Sequence, residues 1–232
     1  MAVASARRRW PVPAVPADAV ERMPRAEVDV ALVLAVDSSG SISEQRLAMQ
    51  IHGYLDALRH PAFTEAIRGG RRGCIGLTYV TWTDARRQDQ VVPWRVIADQ
   101  AGAFAFAQAM QDALRPLPGW TSISGAIDFC TGLLLSNGYI ATRRVIDISG
   151  DGASNDGRPV TEARDAAVAA GVTINGLPII EVEPNLAQYY RDNVVGGPDS
   201  FVVVASDSGA FGAAVLRKLL VEVAGIQPPG AA

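Results

Sequence analysis

Val28-Asp29-Val30-Ala31-Leu32-Val33-Leu34-Ala35-Val36-Asp37-Ser38-Ser39-Gly40-Ser41 decides the fold. Residues 28–36 form a nearly unbroken apolar run, the pattern of a strand buried on both faces of a sheet. The run ends abruptly in a carboxylate, three hydroxyls and a glycine. Beyond it Leu47, Ile51, Tyr54, Leu55 and Leu58 recur at helical spacing. A buried strand passing through a polar turn into an amphipathic helix is the opening unit of an α/β domain.

The same alternation continues outward. Residues 74–83 and 90–97 read as strands, and the short link from Asp84 to Asp89 predicts a hairpin. Phe104, Ala107, Met110 and Leu114 mark a second helix, and Ile123, Ile127, Cys130 and Leu134 a third. Residues 145–149 form a short strand ending in Gly150-Asp151-Gly152. A helix follows over 159–170, with proline near its start, then a strand over 172–180 and a short helix over 186–193. Residues 201–205 read as a last strand, and Ser208 as the cap of a final helix carrying Phe211, Val215, Leu219 and Val223. The fold class is therefore α/β. It is a single doubly wound, Rossmann-like domain over 28–225, its central sheet mostly parallel with one antiparallel edge strand and helices on both faces. Residues 1–27 read as a disordered leader and 226–232 as a flexible tail.

Composition narrows the function. A net charge of -3 speaks against a nucleic-acid partner, which wants a basic face. No apolar run is long enough to span a bilayer. Arg7 to Arg9 lead into a proline-rich stretch and not an apolar one, so no signal peptide is evident. As written the chain reads as cytoplasmic; a start further upstream would make it exported or periplasmic. Cys74 and Cys130 are too few for a disulfide scaffold and are expected to be unbonded.

In a sheet of this kind ligands bind beyond the carboxyl ends of the strands. Two carboxylates lie at that edge, Asp37 and Asp151. Asp37, Ser39 and Ser41 alternate, so one stretch of backbone can present all three to one side. Thr121, at the start of the third helix, adds a hydroxyl. Carboxylates with hydroxyls suit a hard oxygen-seeking cation such as Mg²⁺, with Mn²⁺ or Ca²⁺ as alternatives. Alone, Ser41 followed by Glu44 is simply a capping box.

Asp37-x-Ser39-x-Ser41, Thr121 and Asp151 together resemble the metal-ion-dependent adhesion site of von Willebrand factor A domains, integrin inserted domains and chelatase subunits. Residues 121–126 and 144–152 further resemble an uncharacterised bacterial family made of little more than this domain, whose members are often exported. The resemblance implies that Ser39, Ser41 and Thr121 are hydroxyl ligands and that Asp37 and Asp151 hold the ion largely through water. The sequence departs from the pattern at the second acidic loop, where Thr-Asp-Gly is usual and Gly150 precedes Asp151. The implied function is a divalent-metal-dependent protein-binding or adhesion module, in which an open coordination position takes a carboxylate from a protein partner. A chelatase-like subunit serving an ATPase and a Mg²⁺-dependent hydrolase are the alternatives. The first reading makes the protein no enzyme, and a monomer is expected. His52 and His60 lie away from this edge, which leaves no Ser-His triad.

Around the ligands, Asp147, Ser149 and Asn155 are candidates for orienting them. Asp147 serves equally well hydrogen-bonded to a neighbouring backbone or helix. Trp82, Asp84, Arg86, Arg87, Glu181 and Glu183 are candidate rim contacts for the partner. Tyr189 and Tyr190 read as packing residues.

Overall fold

The computed structural model describes residues 25–40, 44–112, 119–207 and 209–225. The leader up to residue 24, Ser41, Leu114, Ser208 and the tail lie outside the described residues.

The run read first is β1 (Glu27–Asp37), and it sits in the middle of a five-stranded sheet. β2 (Ile75–Trp82) and β4 (Ile140–Gly150) pair with it in parallel, one on each side. β5 (Thr173–Pro178) extends the sheet in parallel beyond β4, and β3 (Gln88–Ile97) closes the other edge antiparallel to β2. The order is β3-β2-β1-β4-β5.

Strand alternation divides the apolar residues between two cores. Val30, Leu32, Leu34 and Val36 face α1 (Glu44–Arg59), α2 (Pro61–Arg68), α3 (Gln100–Asp112) and α7 (Phe211–Ala224). Ala31, Val33 and Ala35 face α4 (Ile123–Ser136), α5 (Val160–Ala169) and α6 (Leu186–Tyr189), which continues into a π turn over Tyr190–Val194. Cys130 lies in the second core, and both cysteines are free. Among the described residues no helix is long and apolar enough to cross a membrane.

The structure corrects two readings, at Phe104 and over 201–205, and adds two features that the apolar pattern did not show, a helix after Arg59 and a turn before α7. Pro61 starts a helix: His60 caps it, its Nδ1 accepting from the Ala62 N–H at 3.2 Å. Phe104 is exposed, and the buried stripe of α3 is Ala103, Phe106, Ala107 and Met110. The strand expected over 201–205 reduces to two parallel bridges, Val202 to Gly176 and Ala205 to Ile179. The entry to α7 is held by Asp207, whose Oδ1 accepts from the Ala210 N–H at 2.9 Å.

α1 and α7 cross at two glycines. A Cβ on Gly53 would lie 2.8 Å from Phe211 Cδ1 and 3.0 Å from Gly212 Cα, so the helices meet backbone to backbone. In α4, exposed Gly132 faces open space. Alanine gains up to about 1 kcal/mol of helix propensity at either position, whereas forcing a methyl into a packed crossing costs about 1–3 kcal/mol. Gly53→Ala therefore lowers the unfolding free energy by up to about 2 kcal/mol, while Gly132→Ala raises it by about 0.5–1 kcal/mol. Urea denaturation of the two variants beside the wild type reads both signs.

Candidate metal centre

β1 delivers Asp37 to the carboxyl edge fully buried. Its Oδ1 accepts from the Ser39 N–H at 2.7 Å. Its Oδ2 is buried and has no hydrogen-bond partner among the described residues. Burial is the main force on this carboxyl. The bonds from Ser39 oppose it, the charge of Asp151 adds to it, and the outcome is a pKa pushed up to about 7. Leaving an acceptor dry and unpaired is costly, a cost that a donor or a positive charge at this oxygen would relieve.

The turn after Asp37 is pinned on both sides. Ser38 donates its N–H and its hydroxyl to the Trp82 carbonyl at 2.9 and 3.2 Å, and the Gly40 N–H donates to the Gly119 carbonyl at 3.1 Å. Thr121 enters from the loop before α4, and its Oγ1 donates to Ser39 Oγ at 3.3 Å. Its main chain is clasped by the loop after β4. Thr121 N–H donates to Asn155 Oδ1 at 2.9 Å, and the Thr121 carbonyl accepts from the Asn155 and Asp156 N–H groups at 2.9 and 3.2 Å. Ser154 Oγ adds a bond to the same carbonyl and accepts from the Ile123 N–H. Gly157 makes this approach possible. It has a positive φ of 87°, and a Cβ there would fall 2.5 Å from Ser122 Oγ. Asp151, itself buried, precedes this clasp.

Asp37, Ser39 and Thr121 are thus linked at one buried edge, and the charge of Asp151, also buried, acts on Asp37; Ser41 lies outside the described residues. Among the described residues no three His, Cys, Asp or Glu side chains gather as a metal cluster. The oxygens on offer are those of two carboxylates and neutral hydroxyls, a set that suits a hard cation and not a soft one.

The surrounding candidates separate. Asn155 holds Thr121, as described. Ser149 Oγ accepts from the Tyr54 hydroxyl at 3.1 Å. Asp147 turns towards α7 instead of the metal edge: its Oδ1 lies 2.6 Å from Lys218 Nζ, and Lys218 also pairs with Glu222, all three buried. Trp82 meets no partner, because its ring is fully buried in the second core. Asp84 organises its own turn, accepting from the Arg86 N–H at 2.9 Å and pairing with Arg87 at 3.6 Å. Glu183 Oε2 accepts from the Ala153 N–H at 2.9 Å and steadies the second acidic loop, and Glu181 is exposed. Sequence reading missed Ser154 and Asp156, whose only mark is their place just after Asp151. It also missed the 69% exposed indole of Trp120 beside Thr121.

Over residues 27–227 the sequence matches the family described as "Protein of unknown function (DUF1194)". The chain belongs to that family. No curated protein matches it. Its fold is that of a von Willebrand factor A domain. The von Willebrand domain of the type V pili tip protein Mfa5 from Porphyromonas gingivalis is similar over 90% of this chain and 99% of that one, at 12% identity and a TM-score of 0.61. Proximal thread matrix protein 1 of the mussel byssus, solved with a zinc-occupied MIDAS motif, is similar over 86% of this chain, at 16% identity and a TM-score of 0.61. A von Willebrand factor type A protein from Catenulispora acidiphila gives 16% identity over 86% of this chain and a TM-score of 0.59. This chain spans 49% of the mussel protein and 42% of the Catenulispora one.

The buried trio of this DUF1194 protein is testable. Two carboxylates share one ammonium, so removing Lys218 leaves buried negative charge without compensation, a change that costs about 3–5 kcal/mol. Burial and the neighbouring Glu222 charge already push the Asp147 carboxyl up, and Lys218 opposes them. Without the ammonium the folded state keeps a proton that the unfolded chain has released above its ordinary carboxyl pKa. Stability then falls as pH rises. Lys218→Met is expected to lose stability at pH 8 and to recover part of it at pH 5, read by denaturant melts at both pH values.

Proposed function

We propose that this protein is a divalent-metal-dependent protein-binding module and not an enzyme. One observation carries the proposal: the buried, unpartnered Oδ2 of Asp37, set beside Ser39, Thr121 and Asp151. A cation held there, Mg²⁺ by the hardness of the oxygens and Mn²⁺ as its nearest substitute, relieves both the unpaired acceptor and the repulsion between Asp37 and Asp151. Asp37, Ser39, Thr121 and Asp151 are the residues that would hold it, with Ser41 supplying a further hydroxyl. The ion's contribution is positive charge: with neutral hydroxyls making up much of its surroundings it stays attractive to an outside carboxylate. The partner is accordingly a protein that offers an acidic side chain. The resemblance to the mussel protein, whose MIDAS motif takes zinc, supports the same reading.

Two measurements test it. Calorimetry should register Mg²⁺ or Mn²⁺ binding by the wild type and none by Asp37→Ala. At a hundredfold excess over Kd the bound ion should add about 2.7 kcal/mol of stability. A melting temperature that stays flat up to millimolar Mg²⁺, with no heat of binding, overturns the proposal. Thr121→Ala should keep the fold and take up the metal, yet lose about 1–3 kcal/mol of affinity for acidic peptides captured in Mg²⁺ but not in EDTA. Undiminished capture would reduce Thr121 to a structural residue at the start of α4.

A further inference from the structure

Tyr190 opens the π turn that follows α6, and its ring is fully buried in the second core. Its hydroxyl is buried too and has no hydrogen-bond partner among the described residues. A phenol is a poor choice for a dry core unless its O–H has something to bond; phenylalanine would fill the same space. The surroundings show what the hydroxyl is aimed at. The point where a Gly150 Cβ would sit lies 3.0 Å from Tyr190 Oη and 3.1 Å from Asp37 Oδ2. Two orphaned oxygens, from opposite ends of the chain, therefore converge on the same point in front of Gly150. The charges of Asp37 and Asp151 both act on the phenol.

Two glycines clear its path. A Cβ on Gly176 would lie 2.6 Å from Tyr190 Cδ1, and one on Gly150 would abut the hydroxyl itself. The π turn falls at the same residue; a turn of this kind adds a residue to the coil and re-aims what it carries, often at functional sites. These features account for the departure at the second acidic loop. A threonine at 150 would place its own side chain where the phenol and Asp37 now converge.

We propose that Tyr190 supplies the hydroxyl that Gly150 cannot, as a positioning residue that donates its O–H into the oxygen shell of the ion beside Asp37. This rests on the metal-binding reading above and extends it to a residue on a fourth segment of the chain.

The test is Tyr190→Phe, which keeps the ring and removes only the oxygen. In the metal-free protein the variant should melt no lower than the wild type, because the group removed is unbonded there. Its affinity for Mg²⁺, by calorimetry, should fall about ten- to a hundredfold, the range for residues that orient metal ligands. The near-ultraviolet tyrosine difference signal produced by adding Mg²⁺ to the wild type should vanish. Gly150→Ala, which places a methyl at the point of convergence, should weaken Mg²⁺ binding as well. A purely structural tyrosine would lower the metal-free melting temperature and leave affinity alone. That pattern, or Mg²⁺ affinities equal to wild type in both variants, overturns the inference while wild-type binding still stands. A wild type that takes up no ion removes the metal reading and this inference together.

Discussion

A single carboxylate in the wrong solvent organises this protein. Asp37 ends a strand with neighbours on both sides and cores on both faces, so water cannot reach it. One of its oxygens is satisfied by the turn that follows, and the other is not. A charge at that position is tolerable only if the surroundings supply a counter-charge. The turn after it and the loop before α4 bring the oxygens of Ser39 and Thr121 up to the same edge.

The second buried charge cluster obeys the same rule with its cation built in. Lys218 lies between Asp147 and Glu222, and Asn175 completes the group by donating to Glu222 while accepting from the Phe201 N–H. Asp147 lies within β4, four residues before Asp151, which follows the strand's end. One is neutralised by a helix, and the other faces the edge beside Asp37. The resident ammonium explains why Asp147 takes no part in the candidate centre.

The periodicities of β1, α1 and α4 made the architecture legible, because each of these elements buries a full stripe. What escaped had local causes. Proline at 61 marks a boundary in sequence, yet it stands equally well at the first position of a new helix, with His60 as cap. The stretch 201–205 has strand composition but forms only two bridges beside β5. At the carboxyl edge, Asp37, Ser39, Thr121 and Asp151 could be brought forward as candidates from spacing and resemblance, since each sits where an element begins or ends. Trp82 could not be placed: it ends a strand that is buried along its whole length, and a position at the carboxyl edge does not by itself tell whether a ring turns out to solvent or back into the core, as this one does. Tyr190 was illegible for a different reason. Its hydroxyl comes up to the point before Gly150 that Asp37 also borders, from a segment about 150 residues away, through a helical turn whose extra residue leaves no mark in the pattern of apolar side chains.

The clasp on Thr121 also has a mechanical meaning. The N–H and the carbonyl of this residue are both taken up by the loop that leaves β4, through Asn155, Asp156 and Ser154. A tug on whatever Thr121 holds is therefore shared among several short bonds lying side by side and passed into a strand that is itself hydrogen-bonded to the middle of the sheet. Bonds loaded side by side must give way together, whereas bonds loaded end to end fail one at a time. Thr121 is thus tied to the sheet at several points of one loop, and a displacement there has to break them as a group.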